Sequence, residues 1–460
     1  MTSSPVTARP SAAPTWTPPR QKTASRQQPG FYVVLAFIFI TYTRLPEILP
    51  KIIGHGVRLG LITTVFAVGV VLISGGIVRM FTSKIVVALT AFTAWLVLCV
   101  PLSVWRGGSF QQMVAWMVSL VSLILLAGCI DGLEQCRKAM YAMAASVLMI
   151  EALSFFLGAA ETTDPSERLA FLFGTFANAN DLATLLLIGL PFCLFVVRTT
   201  RGASPLRIAS MLGLFLIPIT VVRTGSRGGL LALVLMFALY FFTAPAFQKI
   251  PLALAALFLT LASLVVTSGS TLVRYKTIFL TSDETYFGNA VEESAALSTR
   301  SRKELFLSSL RLTAENPFVG VGPGMFQVAD AKDAEERKHP AAWHQTHNTF
   351  TQISSEEGVP ALIFYCLALA FCFSAARTAA RFAGQHPELQ YLGAMAFSVR
   401  LSLIAFTVTG MFASNAYLFY FPIVAGLCAA LERSMRTDAQ ALRPAAQTVP
   451  ASPRAQNRTA

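Results

Sequence analysis

Three short stretches of this 460-residue chain hold residue types that could do chemistry, and all three are built from cations or imidazoles. In Val221-Val222-Arg223-Thr224-Gly225-Ser226-Arg227-Gly228-Gly229-Leu230, two arginines separate two apolar runs. An arginine at the bilayer centre costs about 2.5–3.5 kcal/mol on insertion scales, so each needs an anion or a watery cavity. A helix running through the stretch would put both guanidinium groups on one face at i, i+4. The glycines would let a bulky ligand come close to the backbone. The alternative is that both arginines snorkel to lipid headgroups.

The second stretch is Arg300, Arg302 and Lys303. Ser301-Arg302-Lys303-Glu304 has the form of a capping box, followed by Leu305, Phe306, Leu310 and Ala314 and stopped by Asn316-Pro317. Cations at a helix start are disfavoured unless an anion joins them, and free N–H groups with arginine forks would suit a phosphate. A solvated charged turn, with Glu292, Glu293 and Glu304 as counter-charges, is the other reading. The third stretch gathers His339, His344, Gln345, His347 and Asn348, three of the five histidines within nine residues. A neutral imidazole near pH 7 can take a proton from a hydroxyl, which suggests a general base. Metal binding is the weaker reading, because no HExxH or paired CxxC accompanies them. Structural histidines at an interface are a further option, above all His339 beside Pro340; His55 and His386 take that reading outright.

Other features are less specific. Gly320-Val321-Gly322-Pro323-Gly324 has no preceding strand and a proline where a phosphate-loop helix would start, so it reads as a tight turn. Glu151 and Arg400 lie inside apolar runs and are either functional or a cross-helix ion pair. Asn178, Asn180 and Asp181 suit the cap of a helix start.

The elements that position these groups are membrane helices. Hydrophobic residues make up 54% of the chain and charged ones 13%, against about a quarter charged in soluble domains. Spans are expected at 31–46, 59–77, 84–103, 112–130, 138–158, 180–197, 206–222, 228–245, 250–268, 356–376, 391–412 and 415–431, within about four residues. The fold class is therefore an all-α integral membrane protein of about 12 transmembrane helices. Lys and Arg number nineteen in the tails and loops assigned to the cytoplasm and seven in the short outer loops, which sets both termini inside. Arg44, Lys51 and Arg58 break that pattern in the first hairpin. Residues 1–30, with six prolines and no acid, and 433–460 read as disordered cytoplasmic tails around helices at 31–268 and 356–432. Between the helical blocks, residues 269–355 form a partly helical periplasmic loop of nine basic and ten acidic residues, long enough to be functional.

Composition also excludes some functions. The net charge of +13 sits in short loops and tails, a retention signal and not a nucleic-acid surface. All seven cysteines lie in or beside apolar runs, outside the hydrophilic loop, so no disulfide framework is expected. A secondary transporter of about twelve spans is a competing class, opposed by the missing half-to-half similarity and the long charged loop. A non-catalytic assembly factor would leave Arg227, Arg302 and His347 dispensable.

Taken together, the motifs resemble the O-antigen ligase and polymerase superfamily of bacterial envelope glycosyltransferases. The matching residues are Thr224-Gly225-Ser226-Arg227-Gly228-Gly229 with Leu231, then Arg302-Lys303-Glu304-Leu305-Phe306 with Asn316-Pro317-Phe318-Val319-Gly320-Val321-Gly322, then His347-Asn348 followed by Gly358. Gly174-Thr175-Phe176-Ala177-Asn178-Ala179-Asn180 also looks like a family element. Phe306 stands where the family usually has Trp, and Ala361 where the ligase pattern prefers Gly, Thr or Tyr, so ligase and polymerase both stay open. The resemblance implies a bacterial inner-membrane enzyme that moves a glycan from polyprenyl diphosphate to a hydroxyl of lipid A–core or of another glycan. It implies His347, Arg302 and Arg227 as catalytic residues, with Arg223, Arg300, His344, Asn348 and Asn180 binding substrate. No metal and no cofactor are implied.

Overall fold

A computed structural model describes residues 29–54, 59–160, 167–276, 290–336, 343–386 and 389–442. His55, His339, residues 1–28 and 443–460 lie outside them. The chain begins with α1 (Pro29–Tyr42), α2 (Leu45–Ile53), α3 (Leu59–Ile73), α4 (Gly76–Met80), α5 (Lys84–Cys99), α6 (Arg106–Cys129) and α7 (Leu133–Leu157). A small antiparallel hairpin of β1 (Gly158–Ala160) and β2 (Leu169–Phe171) pairs Gly158 with Phe171. There follow α8 (Ala179–Thr199), α9 (Pro205–Arg223), α10 (Arg227–Thr243) and α11 (Ala246–Val266). The hydrophilic stretch holds α12 (Gly269–Lys276), α13 (Ala290–Glu315) and α14 (Phe326–Glu336), and the chain closes with α15 (Thr349–Gln385), α16 (Gln390–Gly410) and α17 (Tyr420–Leu442).

Among the described residues, eight helices are long and apolar enough to cross a membrane, or nine if the bent pair around Arg44 counts as one span. The protein is thus a helical, multi-pass membrane protein, but the expected twelve spans are not all reached. The first expected span breaks at Arg44 (φ 53°) into two helices bent by 63°. The second divides at Gly75 (φ 65°), and α10 spans only 17 residues. At the end of the chain α17 continues to Leu442, so 433–442 are helical where a tail was expected.

Helices α5, α6, α7, α8, α15, α16 and α17 share one core, in which Trp116, Phe92, Tyr365, Phe192, Phe406 and Phe421 are fully buried. By contrast α11 exposes Ile250, Leu254, Leu257, Phe258, Leu261 and Leu264. A helix apolar on its outer face is stable only against hydrocarbon, so α11 is a lipid-facing helix. The hydrophilic stretch has a separate small core of Leu305, Leu312, Val321, Met325, Phe326 and Ala329.

The helix expected to start at Ser301 starts eleven residues earlier, at Ala290. Ala, Glu and Leu upstream are good helix formers, and Glu292 and Glu293 in the first turn suit the helix dipole. Ser301-Arg302-Lys303-Glu304 therefore lies in mid-helix and is not a capping box. The expected stop holds, with α13 ending at Glu315 just before Asn316-Pro317.

Candidate active site

The α9–α10 junction does not continue as one helix. Gly225 takes φ 62°, and Ser226 caps α10 by accepting the Gly229 N–H at 3.2 Å. The break separates the two arginines expected on one face. Arg223 ends α9 near Glu151, whose carboxylate accepts the Thr220 hydroxyl at 2.7 Å. Arg227 opens α10 and donates to Thr299 of α13 at 2.7 Å. Arg400 instead stacks over Phe397, 5.4 Å from the ring centroid, and forms no pair with Glu151.

The 343–348 segment is held from the other side. His347 has φ 52°, a left-handed backbone that costs a non-glycine residue about 1–2 kcal/mol. Its N–H donates to Ser414 Oγ at 2.9 Å, and Thr346 Oγ1 contacts the same hydroxyl at 3.2 Å. Asn348 then caps α15, accepting the N–H groups of Phe350 and Thr351 at 2.9 and 3.1 Å. Strain held in place by several bonds is typical of a residue whose aim matters.

What sets α13 against α15 is a broken helix. Gly358 adopts φ 82°, ψ 177°, and Pro360 has no N–H, so the carbonyls of Ser355 and Glu356 lose their helical partners. The glycine turn after α13 fills both: Val321 N–H donates to Ser355 O at 2.9 Å and Gly322 N–H to Glu356 O at 2.8 Å. Val359 N–H in turn reaches Pro317 O at 2.7 Å. Gly320, Gly322 and Gly324 all have positive φ, and a side chain on Gly320 would collide with the Glu356 carbonyl. The tight turn expected from this sequence is thus present and joins α13 to α15. The Glu356 carboxylate also accepts Gly324 N–H at 2.9 Å and Phe326 N–H at 3.4 Å, with Tyr417 bonded to it and to Glu357.

These constraints surround a cavity of about 710 Å³ lined by Arg168, Asn180, Arg274, Arg302, His344 and His347, together with Leu297, several small residues and, among the described residues, no carboxylate. Of the expected site residues, Arg302, His347, His344 and Asn180 meet here. Arg227 stands behind the wall, bonded to Thr299 beside Arg300. Arg223 and Asn348 do not line the cavity. Arg300 points away, its side chain 73% exposed and paired with Glu304 at 3.1 Å. Two residues were not anticipated, Arg168 and Arg274, at 7% and 4% exposure. Arg168 donates to Thr224 O at 2.9 Å and to Asn180 Oδ1 at 3.0 Å, linking the α9–α10 turn to α8. The one available signal for Arg274 was an imbalance: residues 182–282 contain eight cations and no acid.

The electrostatics follow from that lining. Burial, then Arg227, Arg168 and Arg274, lower the Arg302 pKa to about 9. Burial, then Arg302, His344 and Arg168, lower the His347 pKa to about 4. His347 is therefore neutral at pH 7, with a basic lone pair facing concentrated positive charge. Such a cavity can bind a polyanion and accept a proton beside it.

Fold and site together define a multi-pass helical membrane protein with a polar, arginine-rich cavity between its hydrophilic helices and its bundle. Residues 212–366 match the family described as O-antigen ligase. The match spans α9 to the first half of α15, and so contains Arg227, Arg302 and His347 but neither Arg168 nor Asn180. No curated protein matches the chain. An enzyme of the O-antigen ligase/polymerase type acts in a membrane on a lipid-linked glycan donor and a glycan acceptor.

Proposed function

We propose that the protein is an O-antigen ligase-like glycosyltransferase of the bacterial inner membrane, working on the periplasmic side with both termini in the cytoplasm. It transfers a glycan from polyprenyl diphosphate to a hydroxyl of lipid A–core. The observation that carries this reading is one cavity lined by three arginines and a neutral histidine. Arg302, with Arg168, Arg274 and Arg227 behind it, binds the diphosphate and stabilises the charge that grows on it. His347 takes the acceptor hydroxyl proton. The acceptor oxygen attacks the anomeric carbon opposite the diphosphate, whose C–O bond breaks with both electrons leaving on the phosphate oxygen, and the centre inverts. His344 and Asn180 contact sugar or phosphate, while Asn348 acts by capping the helix that holds His347. Guanidinium forks supply the charge stabilisation a metal would otherwise give, so the reaction is metal-independent.

The test is transfer from a polyprenyl-diphosphate glycan in membranes of a deletion host, comparing wild type with His347→Ala and Arg302→Ala in the presence of EDTA. Glycan on lipid A–core, lost in both variants, is the expected result. Free long polymer lost in both would make the enzyme a polymerase. Undiminished product in both variants would overturn the site assignment.

A further inference from the structure

A second cavity, of about 730 Å³, lies between α8, α9, α10, α11 and α16, with Leu272 and Tyr275 of α12 at the end nearer the arginine-rich cavity. Its wall is almost wholly aliphatic and aromatic, and at one end it includes Val197, Tyr240 and Leu401. These three neighbour two cations. Arg198 follows Val197 and stacks over Tyr240 and Phe397 at 5.2 and 5.3 Å; Arg400 precedes Leu401 and stacks over the same Phe397 at 5.4 Å. Neither arginine has an acidic partner among the described residues, and no acid occurs anywhere in residues 182–282. The adjoining connections add Arg201, Arg207 and Lys249. Helix α8 carries Asn180 at the arginine-rich cavity and Arg198 at its other end, roughly 27 Å away at 1.5 Å per residue. That is close to the thickness of a hydrocarbon core, about 30 Å, so Arg198 sits at the opposite membrane surface, and Arg400, from midway along α16, meets it at the Phe397 ring.

Two guanidinium groups sharing one ring repel each other and gain only modestly from the aromatic faces. A phosphate between them relieves the repulsion, and arginine forks fit phosphate oxygens well. The largely aliphatic cavity beside the pair is suited to a hydrocarbon chain, with hydroxyls only from Tyr240, Thr260, Ser263 and Tyr275 in its wall. We propose that this cavity and the Arg198–Arg400 pair bind an anionic glycerophospholipid of the leaflet opposite the arginine-rich cavity, one acyl chain inside and the phosphate between the guanidinium groups. The site is independent of the reaction proposed above.

Native mass spectrometry of the full chain, released from nanodiscs of equimolar phosphatidylglycerol and phosphatidylcholine, tests this. Wild type retains the anionic lipid about tenfold over the zwitterionic one, in line with the two arginines. Arg198→Gln/Arg400→Gln brings the ratio to about one by removing that attraction. Ala256→Trp, which fills the cavity, lowers retention of both lipids. Equal retention by wild type, or unchanged selectivity in the double variant, overturns the proposal. So does a third result: an added long-chain polyprenyl diphosphate that displaces the phospholipid in a manner dependent on Arg274 and Arg302. The cavity would then serve the tail of a lipid held from the other side.

Discussion

Two of the arginine clusters in this molecule are treated in opposite ways. Where α4, α6 and α17 meet, Arg79 pairs with Asp131 at 2.6 Å and donates to Ser74 O at 2.7 Å. Arg433 lies 3.7 Å from the same carboxylate and donates to Ala127 O and Ile130 O, carbonyls at the end of α6 that have no partner within the helix. The two guanidinium groups there share one carboxylate and donate further hydrogen bonds to backbone carbonyls. In the arginine-rich cavity Arg168, Arg274 and Arg302 come together, and among the described residues no carboxylate lines the wall. The first arrangement holds helices together; the second places Arg302 among further cations, and burial, then their charge, lower its pKa and suit an anion beside it. A cation's partner, more than its burial, distinguishes a structural arginine from one that awaits a ligand.

The sharpest way to break this contrast is to delete one arginine from each region and read activity and stability separately. Arg302→Ala should lower transfer by about 100- to 1,000-fold, the usual loss for one donor to a developing charge. Its melting temperature should hold or rise, because a repelling charge has gone. Arg433→Ala should do the reverse, costing about 1–3 kcal/mol through carbonyls left unsatisfied while the rate per folded molecule is kept. Thermal melts in detergent alongside the transfer assay measure both. A fall in stability for Arg302→Ala would make it a structural residue and end the contrast.

The next effect concerns the two adjacent glutamates at the α15 break. Glu356 accepts two backbone N–H groups and the Tyr417 hydroxyl. Tyr417 has one hydrogen, so its contact with Glu357 must be supplied with a hydrogen from the Glu357 side. An amide at 357 can still make that donation, whereas an amide at 356 cannot accept everything the carboxylate accepts. Glu356→Gln should therefore loosen the turn that sets α13 on α15 and lower kcat about 10- to 100-fold with KM nearly unchanged. Glu357→Gln should stay close to wild type. Equal losses in steady-state kinetics would show that the pair merely fills space.

A smaller effect is expected in the pH profile. The His347 pKa is lowered to about 4, first by burial and then by Arg302, His344 and Arg168. A base with a lowered pKa is deprotonated and competent above that value and lost below it. The acid limb of kcat/KM, which reports the free enzyme, should fall near pH 4 instead of near the ordinary histidine value of about 6.5. A bound diphosphate offsets the arginines, so the limb of kcat should lie higher. Arg302→Met should raise the kcat/KM limb by removing the largest charge acting on the imidazole. A limb near pH 6.5 that ignores Arg302 would remove His347 from the role of base.

Most of the fold was legible because lipid imposes long apolar runs that need no tertiary context. The breaks were less so: Arg44 and Gly75 are interruptions of one or two residues inside otherwise continuous hydropathy. Arg44 looked misplaced by charge counting, yet it pairs with Glu47, and both bond Thr175 beside the arginine-rich cavity. In the site, His347, His344 and Arg302 could be read from local clustering, whereas Asn180 read as a helix cap and entered the site only through the family resemblance. Arg168 could not be read from clustering, since Glu167 beside it makes the pair look locally balanced. Its place depends on Thr224 and Asn180, 56 and 12 residues away in sequence.

Arg300 gives the smallest expected effect and the finest test. It was grouped with Arg302 because only Ser301 separates them in sequence, but on a helix i and i+2 point to different faces. Arg300 is exposed and joined to Glu304 at i, i+4, a pair worth about 0.3–0.5 kcal/mol at most. Arg300→Ala should change transfer by less than about twofold and leave the melting temperature within error, as exposed substitutions usually do. A loss comparable with that of Arg302→Ala would mean that substrate draws α13 into a rotation that turns Arg300 toward the diphosphate. The contrast between paired and waiting arginines would then hold only for the empty enzyme, and charge pairing in the resting state would no longer identify which cations meet the ligand.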